Sequence, residues 1–352
     1  MTERKMKWLG AAGVTLLALV VYTLTMAPTV SFWDCGEYIA AAVGLQVPHP
    51  PGAAAHHVLG RVGIMLLGWV DDIGARTNWL SALATALTAG VAYLIAFRGI
   101  QMFQAKTERA NYLWVAALGG VLAGTLTTFS DTLWFSAVET EVYNFAMLFT
   151  SLGIYLMLEW TDLRDTPWGD RLIVLVVYLC FFATNFTLFS VMFLPFIAIW
   201  MVVVDQRLRS FWPLYLVGPA VMSILYMAGD FPFITLATIA ISALLWAVFR
   251  FSAKGSSHHH GWKLGTMVAM AAFVGWSIYL YIPIRSTLDP IIDEGDPEIR
   301  KPLVIGDPST YDNLKRTPGF SDWLDLDNWG EFKEYIERKQ YGSENPLVRA
   351  MT

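Results

Sequence analysis

The chain has 352 residues, 55% of them hydrophobic and only 15% charged, with a mean hydropathy of +0.48, whereas a soluble domain carries about 25% charged residues. That composition excludes a soluble globular protein and describes a polytopic membrane protein, and a net charge of -5 gives no footing for a nucleic-acid partner. The acidity is confined to the end: from Arg285 onward there are 14 acids and 9 bases, whereas residues 1–284 hold 15 of each.

Residues 1–7 carry three bases, and the apolar stretch 8–27 has about the 20 residues that a span needs. No small-x-small cleavage site precedes Pro28, so the sequence predicts an uncleaved first helix with its amino terminus in the cytoplasm and residues 28 onward outside. Further apolar runs near 79–97, 111–129, 144–160, 172–184, 186–204, 211–228, 231–249 and 264–284 bring the count to about nine spans. The stretch 53–70, "AAAHHVLGRVGIMLLGWV", is long enough to cross but carries His56, His57 and Arg61. If it does not cross, the basic clusters Arg98 with Lys106 and Arg109, Arg164 with Arg171, Arg207 with Arg209, and Arg250 with Lys254 and Lys263 all face the cytoplasm. It therefore predicts a helix along the outer leaflet, amphipathic through two His and Arg61 turned to water.

The expected architecture is an all-α bundle over 1–284, with a long first outer loop at 28–78, followed by an outer acidic tail over 285–352. Within the tail, 327–347 has the spacing of a small amphipathic helix through Trp329, Phe332, Tyr335 and Ile336. The three consecutive His in 253–263 lack the separated spacing of a metal site, and that stretch reads as a solvated loop. Cys35 and Cys180 are too few for a disulfide framework and read as free thiols.

Three outer-face pieces carry candidate chemistry. Asp34 and Glu37 are three apart and share one face of a short helix, fit to act as a base with its orienter, to hold a metal, or to cap the helix. A second acidic cluster, Asp131, Glu139 and Glu141, lies at the same rim; Glu139 and Tyr143, four apart, are expected to point one way and Glu141 elsewhere. Ionisable groups at the edge of an apolar bundle are costly, and two acidic patches fit a site better than two caps. Arg285, at the outer end of the last span, suits a phosphate clamp as well as an interface anchor, with Arg61 in reserve. His49, His56 and His57 do not have zinc spacing.

In that order and spacing, "FWDCGEYIAAAVGLQVPHPPGA", "LWFSAVETEVYNF", "IPIRSTLDPIIDEGDPE" and "FKEYIERKQYGSENPLVRA" closely resemble a bacterial polytopic family related to the animal plexin-type protein O-mannosyltransferases, placed in the GT-C superfamily of glycosyltransferases. The resemblance implies a polyprenyl-phosphate-linked sugar donor, a protein or glycan acceptor on the outer face, and a bacterial inner membrane with the carboxyl terminus in the periplasm. It gives the base to a first-loop acid, Asp34 or Glu37, and brings Glu139, Glu141 and Arg285 into the site; of these we expect Asp34 to be the base with Glu37 orienting, Arg285 to hold the phosphate with Arg61 in reserve, and His49 and Tyr143 to join the substrate contacts. The acids permit a divalent cation, but no ligand spacing indicates one. Two departures stand out: the chain stops at Thr352 where relatives often continue, and Asn185 with Phe186 occupies a turn in which the resemblance leads one to expect a His. They leave a non-catalytic subunit of a membrane complex as one alternative. A transporter is the other, against which stand the absence of an internal repeat and of charge in mid-span.

Overall fold

The structure, a computed structural model, describes residues 2–107, 112–205, 257–288, 290–294 and Tyr335. It is helical, and among the described residues the only strand-like pairing is an isolated bridge between Val47 and Asp293. The chain divides into two compact units, Met1–Leu45 with His56–Leu172, and Gln46–Ala55 with Ile173–Thr352.

In the first unit, α1 (Glu3–Thr25) begins at Thr2, whose hydroxyl accepts from the Lys5 amide, and runs on as an apolar helix. Two short helices, α2 (Cys35–Gly44) and α3 (Ala54–Leu66), precede α4 (Ile73–Lys106), whose 34 residues rise about 51 Å, well beyond the roughly 30 Å of hydrocarbon. Then come α5 (Leu113–Thr128), α6 (Asp131–Ala137) at 62° to it, and α7 (Tyr143–Leu163). Among the described residues α1 and α4 are long and apolar enough to cross a membrane, and the bent α5–α6 pair would make a third. The thirteen residues of α3 rise about 20 Å and fall short of a span.

Small residues let these helices approach closely. Along α4, Ala82, Ala86 and Ala89 are fully buried against Ala11, Val14, Ala18 and Tyr22 of α1. Tyr93 of α4 lies between Gly10 and Gly120, where an added Cβ would come within 2.1 Å of its hydroxyl oxygen and 2.7 Å of its ring, and its hydroxyl donates to the Met6 carbonyl at 3.0 Å. With lipid outside and apolar side chains inside, close packing and hydrogen bonds carry the association. Lys7, Arg98, Glu159 and Asp162 form an ion-paired cluster at one end of this bundle, with Lys7 and Glu159 2.7 Å apart.

The opposite end is tied by polar side chains from the start of α4. The Asn78 amide donates to the carbonyls of Ala27 and Thr29, both at 2.9 Å, so the chain leaves α1 and returns to α4 at the same end of the bundle. Thr140 Oγ1 lies 2.7 Å from both Asn78 Oδ1 and Thr77 Oγ1, which orders the two hydroxyls into a chain ending on the Asn78 oxygen. The Ala27 amide reaches the Val138 carbonyl at 2.8 Å, and Asn144 bonds Thr85 at 2.9 Å and the Ser136 carbonyl at 2.8 Å.

In the second unit, α8 (Pro167–Ala183), which starts in the first unit, is followed by a 3-10 turn (Leu188–Met192), α9 (Phe193–Val204), α10 (Ser257–Trp276), a second 3-10 turn (Ser277–Leu280) and α11 (Tyr281–Ser286). The segment 46–52 is built into this unit: Val47 pairs with Ile292 and Glu294, the Tyr281 hydroxyl donates to the Gln46 carbonyl, and the Tyr335 hydroxyl donates to the Pro48 carbonyl at 2.5 Å. Gly52 sits at φ +86 with Tyr335 and Ile282 against it, a conformation and a space that only glycine fits.

Several expectations change here. Residues 257–263, expected as loop, open α10, and the expected spans 186–204 and 264–284 are broken by 3-10 turns. The expected spans 211–228 and 231–249 lie outside the described residues, as does the tail helix 327–347 apart from Tyr335. Asn185, found in place of the expected His, is fully buried; its amide donates to the carbonyls of Phe181, Phe182 and Gly275 and so closes the end of α8 and ties it to α10.

Replacing Asn78 by Leu removes the donors of two part-buried carbonyls and the acceptor of the buried Thr140 hydroxyl, at about 0.5–1.5 kcal/mol for each hydrogen bond lost. The expected result is a loss of about 2–4 kcal/mol, read as a lower unfolding midpoint of the detergent-solubilised chain; an unchanged midpoint would show that water replaces the amide.

Candidate functional site

The site in the first unit starts from α2. Asp34 occupies its N-cap position but makes no capping hydrogen bond with its side chain, so capping does not account for the carboxylate. Glu37 lies in the first turn, and carboxylate oxygens of the two acids come within 4.8 Å of one another. The residue before them, Trp33, holds a left-handed backbone at φ +59, a strain that non-glycine residues keep only where the surroundings impose it. Asp34 is exposed and Glu37 half-buried.

One turn on, Tyr38 is 6% exposed, and its amide donates to the Asp34 carbonyl at 2.9 Å. Its ring lies 5.5 Å from that of His56 and 5.9 Å from that of His57, and His56 also meets Phe145 of α7 at 6.1 Å. Burial first, and then the charges of Glu141, Asp34 and Glu37, with Tyr143 between them in strength, push the Tyr38 phenol far above its ordinary range. Tyr38 thus stays a neutral hydroxyl, with carboxylates from both acidic patches around it.

The second patch is positioned by the polar start of α4. The Glu141 amide donates to Ser81 Oγ at 3.2 Å, and Glu141 Oε2 accepts from the Val142 amide at 3.2 Å. Residues 138–142 are not helical, so the expected i, i+4 pairing of Glu139 with Tyr143 does not form: Glu139 is buried at 5%, Tyr143 is 52% exposed, and it is Glu141 and Tyr143 that act on Tyr38. Asp131 is exposed at the start of α6.

The two His of α3 correct a further expectation. Instead of facing water they are buried, His56 at 4% and His57 at 0%, because their rings pack on Tyr38 and on each other. Burial lowers the His56 pKa to about 4, so its imidazole is neutral at physiological pH, and its Nδ1 has no hydrogen-bond partner among the described residues. Arg61 donates from Nη1 to the Val43 carbonyl at 2.9 Å, satisfying the end of α2. In the second unit, the His49 carbonyl accepts from the Gly52 amide at 3.0 Å, and Arg285, in the last turn of α11, lies within hydrogen-bonding reach of the Tyr281 hydroxyl.

Comparison with protein families matches residues 34–210, half of the chain, to the Protein O-mannosyl-transferase TMEM260 N-terminal domain. The chain belongs to this family. The match begins at Asp34 and takes in every residue of the cluster around Tyr38, whereas Arg285 lies beyond it. Among curated proteins, the chain is 26% identical over 171 residues to the mouse Protein O-mannosyl-transferase TMEM260, covering 49% of this chain and 22% of that protein. It is 24% identical over 146 residues to the Dictyostelium discoideum Protein O-mannosyl-transferase tmem260, covering 41% of this chain and 16% of the relative. The matched region is thus about a fifth of the length of these relatives. No solved structure matches.

Within this family member, the acids were legible in the sequence and their surroundings were not. Tyr38, Asn78, Ser81 and Thr140 escaped notice and His56 was expected to face water, although Thr77, Ser81, Thr85 and Thr88 recur every three or four residues in an apolar run and mark a buried polar stripe. Asp34 and Glu37 present oxygen ligands of the type a hard divalent cation takes.

The lowered pKa of His56 has a signed consequence. The unfolded chain takes up a proton at this residue below about 6.5 while the folded chain does not until about 4, so stability falls as pH drops through that window and is level above it. His56→Phe should flatten the fall, by at most about 3 kcal/mol between neutral pH and 4.5, in unfolding midpoints measured against pH. An unaltered slope would show that His56 titrates normally.

Proposed function

We propose that this chain is a membrane glycosyltransferase of GT-C type, moving a sugar from a polyprenyl-phosphate donor to a Ser or Thr hydroxyl of a protein at the outer face of a bacterial inner membrane. The observation that carries this reading is the cluster itself: carboxylates from two separate loops, Asp34 with Glu37 and Glu141, gathered round a buried Tyr38 at one end of an apolar bundle. Its membership of a family named for protein O-mannosyl transfer supports the reaction class and makes mannose the first sugar to test.

The chemistry needs little from the protein beyond a base and charge compensation. Asp34 takes the proton of the acceptor hydroxyl, the freed oxygen attacks the anomeric carbon, the bond from that carbon to the phosphate oxygen breaks, and polyprenyl phosphate leaves with the electron pair. Because phosphate is already a good leaving group, no acid has to protonate it. Asp34 suits the base because its carboxylate is exposed to an incoming acceptor and not used up in capping. Glu37 and Glu141 fit sugar or acceptor hydroxyls, and Tyr38, held neutral, supplies a hydroxyl donor among them. Arg285 is proposed to offset the phosphate charge; that role rests on guanidinium chemistry and on the sequence, as does a role for His49. A divalent cation on Asp34 and Glu37 would supply the same compensation.

Asp34→Asn in the full chain should lower transfer from a polyprenyl-phosphate sugar to a Ser/Thr peptide by about 10²–10⁴-fold, while Asp71→Asn, on the exposed turn before α4, leaves it unchanged. Transfer retained in Asp34→Asn would remove Asp34 as the base.

A further inference from the structure

The exposed and buried faces of α3 are inverted relative to a water-facing surface helix. Val58 (38% exposed), Val62 (46%), Met65 (69%), Leu66 (68%) and, just past the helix, Trp69 (77%) follow one another at i, i+4, i+7, i+8 and i+11, which forms a single outward stripe with no ionisable group in it. The two His are on the inside, packed on Tyr38, and the only charge of the helix, the half-buried Arg61, lies beside the stripe and bends to the Val43 carbonyl in an exposed hydrogen bond.

This orientation is fixed by close contacts. A Cβ on Gly60 would meet Ala42 of α2 at 2.8 Å, and one on Gly63 would meet Leu80 of α4 at 2.2 Å, so neither position tolerates a rotation that brings a side chain inward. At the far end, Arg76 in the first turn of α4 donates to the carbonyls of Ile64 at 2.9 Å and Val70 at 2.5 Å, satisfying groups that the end of α3 leaves open. The stripe therefore lies level with the first turn of a membrane-crossing helix. The exposed faces of α1 that meet lipid have the same character, with Leu17 44%, Val20 48% and Leu24 80% exposed.

We propose that α3 is a lipid-embedded wall: its apolar stripe lies against the acyl chains of the leaflet at this end of the bundle, and its His face closes the side of the Tyr38 cluster. A face in contact with water would carry the His outward, whereas here a helix too short to span has both His turned into protein, its apolar residues out, and Arg61 at the edge of the stripe with its head on a backbone carbonyl. Trp69 stands where aromatic side chains mark the boundary between hydrocarbon and headgroups. The occupant is lipid because the stripe continues a lipid-facing surface and holds no group that a protein partner would pair with.

The test reads contact with lipid and not sugar transfer, so it stands or falls separately from the enzymatic reading. Single cysteines at Val62 and Met65, with Leu17 and Asp71 as references, are spin-labelled in the full chain in phosphatidylethanolamine/phosphatidylglycerol vesicles. Cys35 and Cys180 are buried, so the unsubstituted chain should label little. The expected result is collision with oxygen severalfold more frequent than with a water-soluble nickel chelate at 62 and 65, as at 17. A nickel-dominated pattern like that at 71 would overturn the proposal by placing the stripe in water. An immobile label that neither reagent reaches would overturn it by placing a protein partner there.

Discussion

The arrangement described here depends on one buried side chain, Asn78. Its amide holds the carbonyls of Ala27 and Thr29, its oxygen receives the Thr140 hydroxyl, and so two loops that are more than a hundred residues apart are fixed to the same turn of α4. It is joined there by the Ala27 amide on the Val138 carbonyl and by Asn144 on Thr85 and the Ser136 carbonyl: Ala and Gly surfaces can pack in several registers, whereas directional polar bonds fix one. The clamp thereby turns a hydrophobic assembly with freedom to slide into one with a defined rim.

What that rim holds follows from the constraint. The loop after α1 leads directly into Asp34, and the loop before α7 presents Glu141, whose amide is held by Ser81, three residues along α4 from Asn78. Tyr38 lies where the two meet, and the acids that surround it come from both. Carboxylates of both patches act on the Tyr38 phenol, and burial with their combined charge keeps it neutral. α3 completes the enclosure with the buried rings of His56 and His57, of which His56 is neutral.

Composition made the membrane class plain, and runs of apolar residues placed α1, α4, α5 and α7 near their observed positions, because hydrocarbon imposes a length and an exclusion of charge that a sequence displays directly. Their ends were less legible. α4 starts at Ile73 and not at 79, since the polar residues 77, 78 and 81 are buried by partners that no local pattern reveals. The same cause hid the orientation of α3: His and Arg are read as water-seeking until it is known that Tyr38 and a backbone carbonyl await them. Asp34, Glu37, Glu141 and Tyr143 were found because ionisable and aromatic residues at an apolar rim are conspicuous. Tyr38 was missed because one more aromatic in an apolar helix is not.

If Asp34 and Glu141 serve one reaction centre, their contributions to transfer cannot be independent. The most direct measurement is a double-mutant cycle on the transfer rate with Asp34→Asn, Glu141→Gln and the combined variant in the full chain. A shared centre predicts a combined loss well short of the product of the two single losses, as for groups that act as a unit. Single losses that multiply in the double variant would contradict it and separate the two acidic patches.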